Sequence, residues 1–323
     1  MNFWKFLCRS LTYYRKTHVL VVLGAAVSTA ILVGALVIGD SVRLSLQQIV
    51  FYRLGGTEFV LTSGDRFFRT RLADEVAEEL KTQAAPILIA RGIVITEGGR
   101  RRSNNIQVVG IDARFGEIGG GAELFGSLAS DEALINLHLA SKMGLAMNDE
   151  FLLRMEKIDA MPKDAPLALE LDATLTKRIK VKAVVPDSQF GRFNLRAEQV
   201  APLTVFLPLD VLSREMEREN RANAILIAAR TDMPLDLQTV EQAVYGNWIL
   251  EDAGLKLEDL PGDQVVELTS DRIFLDSSVG EAASTVADDA RFILTYFVNE
   301  IRLGDRATPY SFIAAPGDSR LPD

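Results

Sequence analysis

Polar and apolar positions are mixed over residues 2–17, no charge interrupts residues 19–38, and the two kinds alternate irregularly from Asp40 onward. In the first stretch Phe3, Trp4, Phe6, Leu7, Leu11 and Tyr14 stand among Lys5, Arg9, Arg15 and Lys16, so a helix there has an apolar face beside a basic one. Such a segment lies in a headgroup layer or serves as an ordinary basic flank. The second stretch is rich in Val, Leu, Ala and Gly and shows no polar face at the 3.6 period. At 1.5 Å per residue it makes a helix of about 30 Å, the hydrocarbon thickness of a bilayer. Beyond it Val42, Leu46, Ile49 and Val50 keep helical spacing. The helix is therefore expected to continue outward as a stalk and to stop at Gly55-Gly56.

Shorter periods follow. Residues 58–62 read as a strand, and 70–83 as an amphipathic helix with Leu72, Ala73, Val76, Ala77 and Leu80 on one face. Strands are predicted at 87–89, 92–96 and 106–111, the last two flanking a long hairpin turn over 98–105. Arg100, Arg101 and Arg102 sit at its tip, either simply solvated or available to a partner. Asn136 is placed to cap a short helix over 136–143 that Gly144 ends. Strands follow at 151–155, 167–171 and 179–185, with a loop over 157–166 marked by Pro162 and Pro166. Residues 203–206 read as a strand, 209–218 as a helix and 224–229 as a buried strand.

A boundary is placed near 231–234. After it come a helix over 237–245, a strand over 265–269 and a polar helix around 280–289. A hairpin then runs from 292–301 through Gly304-Asp305 to 309–314, ahead of a loop-like 316–323. Elements alternate irregularly and strands fall into hairpins, which predicts the α+β class. The expectation is one N-terminal transmembrane helix with a stalk, then a mixed helix and strand extracytoplasmic domain of two subdomains.

Charge gives this arrangement an orientation. Lys5, Arg9, Arg15 and Lys16 precede the apolar run, and the first acid of the chain is Asp40. Cations beside a spanning helix stay cytoplasmic, so residues 40–323 are expected outside. A cleaved signal peptide is the competing reading, but its apolar region is shorter and ends in a small-residue cleavage site, whereas this run exits through Val37, Ile38, Gly39 and Asp40. The net charge is −9, carried by the part after the basic lead, and argues against a nucleic acid partner. The single cysteine, Cys8, precedes the run, so the outer part is held by packing without disulfides.

Chemistry is sparse. Neither a P-loop nor a G-x-S-x-G elbow occurs, and Gly119-Gly120-Gly121 does not fit a dinucleotide fingerprint and reads as a flexible turn. The histidines are His18 and His138 alone, too few for a His-rich zinc site, and no Ser-His-Asp set is credible with His138 as the one outer histidine. Glu78-Glu79, Asp131-Glu132 and Asp288-Asp289 are sequence neighbours, which point apart and read as solvated faces. No catalytic, cofactor-binding or metal-ligating residue is assigned, no cofactor is expected, and the chain is not expected to be an enzyme.

Residues 133–155 are more particular. Leu139-Ala140, Met143-Gly144-Leu145 and Asn148-Asp149-Glu150-Phe151 resemble a segment of the extracytoplasmic domain of FtsX-like (MacB/LolC-type) ABC transporter permeases, in which a strand leads into a short helix and a turn. Asn148 stands where that family usually has Gly, and Asn also tolerates a left-handed turn. Residues 105–112, 179–185, 205–212 and 223–228 resemble further stretches of the same family in the same order.

The resemblance implies a layout: 1–18 a cytoplasmic amphipathic basic lead, 19–38 the transmembrane helix, 39–61 the stalk, 62–230 the MacB-like domain, and 231–323 a second, truncated extracytoplasmic part. It implies a permease of the efflux or mechanotransmission type in the cell inner membrane. Its partners would be a cytoplasmic ABC ATPase, a second permease subunit and membrane lipid, and it would act on lipid, lipoprotein, peptide or drug. It also implies that the chain is an N-terminal fragment of a longer permease. The alternative is a single-pass anchored binding or assembly module without an ATPase.

Overall fold

A computed structural model describes residues 3–64, 66–126, 128–156, 174–196, 198, 200–230, 232–260, 265–272, 275–287 and 290–316. The strand expected at 167–171, the loop at 157–166, the Asp288-Asp289 pair and residues 317–323 lie outside them.

The basic lead is helix α1 (Phe3–Tyr13), and after Tyr14 helix α2 (Arg15–Leu54) runs 40 residues with none buried. It is long and apolar enough to cross a membrane. Gly55 ends it with a backbone N–H donated to the Phe51 carbonyl at 2.7 Å.

The chain then enters a mixed domain: β1 (Thr57–Thr62), β2 (Phe68–Arg69), α3 (Arg71–Leu80), β3 (Ala84–Thr96), β4 (Arg102–Ile111), α4 (Ala113–Gly119) and α5 (Ala122–Phe125). Next come β5 (Glu132–Asn136), α6 (Leu137–Met143), β6 (Glu150–Glu156), β7 (Thr174–Val185), β8 (Thr204–Pro208), α7 (Leu209–Glu215), β9 (Arg221–Ala222), β10 (Ala224–Ala228) and α8 (Leu237–Asn247). The remainder is β11 (Leu255–Leu260), β12 (Val265–Ser270), α9 (Ser277–Val286), β13 (Ile293–Leu303) and β14 (Arg306–Pro316). The fold is α+β.

The main sheet runs β1-β10-β3-β4-β8-β5-β7-β6, and β6 pairs back onto β3. Strands β3, β4, β8, β5, β7 and β6 thus close a barrel, which removes free sheet edges. Alongside the antiparallel pairs β3–β4 and β6–β7, β4–β8 and β5–β7 are parallel. Two strands expected at 87–89 and 92–96 are one, β3. Its first half takes β10 and its second half takes β6, and the register against β4 shifts between Gly92 and Val94. A Cβ at Gly92 would sit 3.0 Å from Val108 Cγ2 and 3.2 Å from the Arg154 carbonyl, so glycine lets the bent strand close the barrel. The hairpin turn is also shorter than 98–105, because Arg102 and Ser103 already pair with Ile95 and Val94. The helix expected over 209–218 stops at Glu215.

Three cores result. The barrel interior holds Val94, Ile106, Val108, Ile135, Leu153 and Val205. An aromatic core lies under α4 and α5. The third joins Leu72 and Val76 of α3 to Ile225 and Ile227 of β10 and to Val240, Ala243 and Val244 of α8. Helix α8, beyond the boundary placed near 231–234, therefore shares its core with elements before it.

Asn136 caps α6 as its spacing predicted, accepting from the Leu139 N–H at 3.0 Å. It is fully buried and also accepts from the Thr204 N–H at 3.1 Å, and donates to the Gly191 and Pro202 carbonyls at 2.8 and 2.7 Å. One amide thus ties α6, β8 and the loop before it, with its hydrogen-bonding capacity used. Asn148 takes the left-handed conformation, φ 71°, that its departure from Gly required.

Candidate functional site: the seat of the long helix

The candidate site is where α2 meets the domain. Helix α2 ends at Leu54, two residues before β1, which pairs with β10 from Thr57 onward. The Gly56 N–H donates to the Ile118 carbonyl at the end of α4 at 3.1 Å, and the Gly56 carbonyl accepts from the Ala229 N–H at 3.0 Å. The foot of the helix is therefore bonded on both sides, to α4 and to the end of β10.

Phe190 fills the seat. A Cβ at Gly55 would fall 2.2 Å from its Cε2, and one at Gly119 would fall 2.1 Å from its Cδ2. The ring is held between two glycines because nothing larger leaves it room. Gly119-Gly120-Gly121, expected as a flexible turn, is a packing seam instead: Gly119 lies against the ring and Gly120 ends α4 in the left-handed conformation. Phe190 itself has φ +67°, a backbone cost of order 1 kcal/mol for a bulky residue. That cost is met by packing: its ring centroid lies 4.7 Å from Phe115 and 5.4 Å from Phe193, and Phe115 also touches Phe125 and Phe206. Stacked and edge-to-face aromatic pairs of this kind add about 0.5–1.5 kcal/mol each beyond burial.

Above the seat, α2 presents Val42, Leu46 and Val50 to an apolar groove that reaches Leu54 and Gly55. These side chains are exposed, as are the apolar residues of the span.

A second junction holds α8 and the following turn. The Arg69 guanidinium is mostly buried and donates to both Asp252 oxygens, to Glu75 and to the Asn247 carbonyl. Asp252 is fully buried and also accepts from the Arg69 N–H at 2.8 Å. The hydrogen bond to Asp252, with Glu75 adding, raises the Arg69 pKa above its ordinary value despite burial. Arg221 braces the same turn through Glu251, at 2.7 Å. No spacing in the sequence marks Arg69 and Asp252 as partners.

The other sequence candidates disperse. His138 Nε2 lies 3.0 Å from Asp187 Oδ1 at the surface. Glu132 hydrogen-bonds Lys182 at 2.8 Å, and this ammonium, with the Ala129 N–H, holds its carboxyl below the usual carboxylate range, the opposite of a general acid. Arg100, Arg101 and Arg102 are exposed, and the Arg101 guanidinium lies over Gly144 at the C-terminal end of α6, where a cation is favoured. Cys8 is exposed on α1. Among the described residues no three His, Cys, Asp or Glu side chains converge as metal ligands.

No protein-family model matches the sequence, and no curated protein matches it. The structure is similar to the periplasmic region of MacB from Actinobacillus actinomycetemcomitans, with TM-score 0.39, 11% identity, and 73% of this chain and 95% of that chain covered. It is also similar to the extracellular domain of the noncanonic ABC-type transporter YknZ from Gram-positive bacteria, with TM-score 0.35, 8% identity, and 66% of this chain and 97% of that chain covered. Likeness at this level carries no argument about activity or partners.

Proposed function

We propose that this chain is the permease component of an ABC-type transporter complex of the efflux or mechanotransmission kind. A separate cytoplasmic ATPase would move the outer domain through the long helix. In this reading residues 19–38 cross the cell membrane with the N-terminus cytoplasmic, 39–61 form the stalk, and 62–230 and 231–323 lie outside. A second permease subunit and membrane lipid are the other partners. The cargo would be a lipid, lipoprotein, peptide or drug, moved by mechanical work.

One observation carries the reading: a single 40-residue helix joins the apolar span to a bonded and aromatic seat in the outer domain. An unbroken helix is stiff along its axis because each turn is held by its own hydrogen bonds. Displacement at the membrane then reaches β1 and, through Phe190, α4. The ordered sequence resemblance to FtsX-like permeases supplies the nature of the machine.

The test breaks the rod. A proline at Leu46 removes a helix bond and costs about 3 kcal/mol locally. In the complex isolated from native membranes, Leu46→Pro should abolish the nucleotide-dependent change in distance between spin labels at Met147 of paired subunits, with the outer domain's melting unchanged. A nucleotide response that survives Leu46→Pro overturns the rod. A preparation that contains no P-loop ATPase leaves the anchored binding module. The anchor has its own check. Ala30→Arg places a charge near the centre of the span at about 2.5–3.5 kcal/mol, and should shift the protein out of the membrane fraction; unaltered fractionation would remove the anchor.

A further inference from the structure

Residues 57–112 recur in the last part of the chain. Leu61-Thr62-Ser63 returns as Leu268-Thr269-Ser270, and Asp65-Arg66 as Asp271-Arg272, with Gly64 skipped. From there one constant displacement carries Phe68 onto Phe274, Glu75 onto Glu281, Ile87-Leu88 onto Ile293-Leu294, Ile95 onto Ile301, Gly98 onto Gly304 and Arg100 onto Arg306.

The structure obeys the same displacement. It superposes the limits of α3, Arg71–Leu80, on those of α9, Ser277–Val286, and the N-cap Thr70 on the N-cap Asp276. It turns the cross-strand pairs Val94–Ser103 and Ile95–Arg102 into Glu300–Pro309 and Ile301–Thr308. Gly98 and Gly304, at the two hairpin turns, both have positive φ. The register shift at Gly92 is absent where Val298 stands, so the second hairpin is regular. Agreement of sequence, helix limits and strand register identifies a repeat of strand, helix and hairpin.

The two copies differ in what covers them. In the first, β10 and β6 lie on β3, and β8 lies parallel on β4, completing the barrel. In the second, among the described residues β13 and β14 pair with each other alone. Ile87, Leu88 and Ile106 are 0% exposed, whereas their counterparts Ile293, Leu294 and Phe312 are 64%, 52% and 74% exposed. A lone two-stranded hairpin is marginal in water, and apolar side chains on both its faces make it more so.

We propose that β13–β14 is the opening hairpin of a second barrel. Its remaining strands would come from polypeptide that follows Asp323 in the natural gene product and is built like residues 132–228. The first copy fixes this source: its covering strands all come from the same chain, C-terminal to the hairpin. They arrive with defined polarity, antiparallel on β3 and parallel on β4. The extracytoplasmic portion is then a tandem of two like domains on one stalk. This inference stands independently of the ATPase-driven reading.

The test compares hydrogen exchange in the 323-residue chain and in the product isolated from its own membranes, in the same detergent. In the 323-residue chain, β3 and β4 amides should be protected and β13 and β14 amides should exchange at nearly unfolded rates. In the native product, which should extend beyond Asp323, β13 and β14 should exchange about 100-fold more slowly than in the short chain, the mark of a completed sheet. Leu294→Asp in the native product should abolish that gain and leave β3 and β4 unchanged. Fast exchange of β13 and β14 in the native product overturns the proposal, as does a native product ending at Asp323. Protection in the 323-residue chain that grows with its concentration also overturns it, since a second copy of the chain would then be the cover.

Discussion

Phe190→Ala is expected to lower the unfolding free energy of the outer domain by about 3–5 kcal/mol, the cost of deleting a fully buried phenylalanine from a core that cannot collapse onto the gap. Collapse is blocked here because the walls of the seat are backbone. Gly55 and Gly119 face the ring from two sides, and neither carries a side chain that could swing inward. Alanine would also still occupy the left-handed region, so no backbone strain is relieved to offset the loss. The functional consequence is separable from the loss of stability. With the ring gone, the foot of α2 loses its aromatic packing and keeps the two hydrogen bonds of Gly56. Proteolysis between Leu54 and Thr57 should accelerate under conditions where the domain remains folded. Phe190→Leu, which keeps most of the volume, should restore much of the stability. A Phe190→Ala protein that loses less than about 1 kcal/mol would show that the ring does not fill the seat.

Arg69→Ala should cost about 3–5 kcal/mol, because it leaves the Asp252 carboxylate buried without its charge partner. Asp252 is fully buried, and Arg69 supplies it with a backbone N–H as well as the guanidinium. The backbone bond survives the substitution, and the charge compensation does not. The expected local effect is release of residues 249–253, which should lose hydrogen-exchange protection before the barrel does. Replacing the pair together, as Arg69→Met with Asp252→Leu, should recover most of the loss, since burying no charge is as good as burying a matched pair. A double variant as unstable as Arg69→Ala alone would show that the hydrogen-bond geometry, rather than the buried charge, holds this turn.

The elements that were legible are those whose signals are local. Residues 70–83 carry a one-face periodicity, and α3 forms within them. Asn136 and Gly144 bracket a short helix because capping and left-handed termination depend on residue type alone. Gly55 ends α2 for the same reason. Elements without such signals were missed. Helices α4 and α5 are short and glycine-rich, and β11 is charged, so neither periodicity nor composition marks them. Gly92 reads from its neighbours as the start of a second strand. It is the bend of one, because its lack of a side chain serves a close approach by β4 and β6 that no local window contains.

The seat was hidden by the same logic. Gly55, Gly119 and Phe190 are far apart in the chain, and each has an ordinary local reading: a helix stop, part of a flexible turn, an aromatic in a loop. Their meaning lies in mutual exclusion of volume, which exists only once they are adjacent. Asn223 is a further case, its side chain exchanging 2.8 and 2.9 Å hydrogen bonds with the Ile89 backbone as a strand neighbour would.

By itself the sequence determined an apolar run long enough to cross a bilayer, its helical continuation, the basic lead, and the α+β character of the rest. Each follows from near-neighbour physics: helical rise, side-chain periodicity and the conformational limits of glycine and asparagine. Only the tertiary structure decided that six strands close a barrel, that Phe190 locks the long helix to it, and that Arg69 and Asp252 clasp the following turn. Those contacts join residues distant in sequence, and their energies come from burial and excluded volume, which depend on what the whole fold brings together.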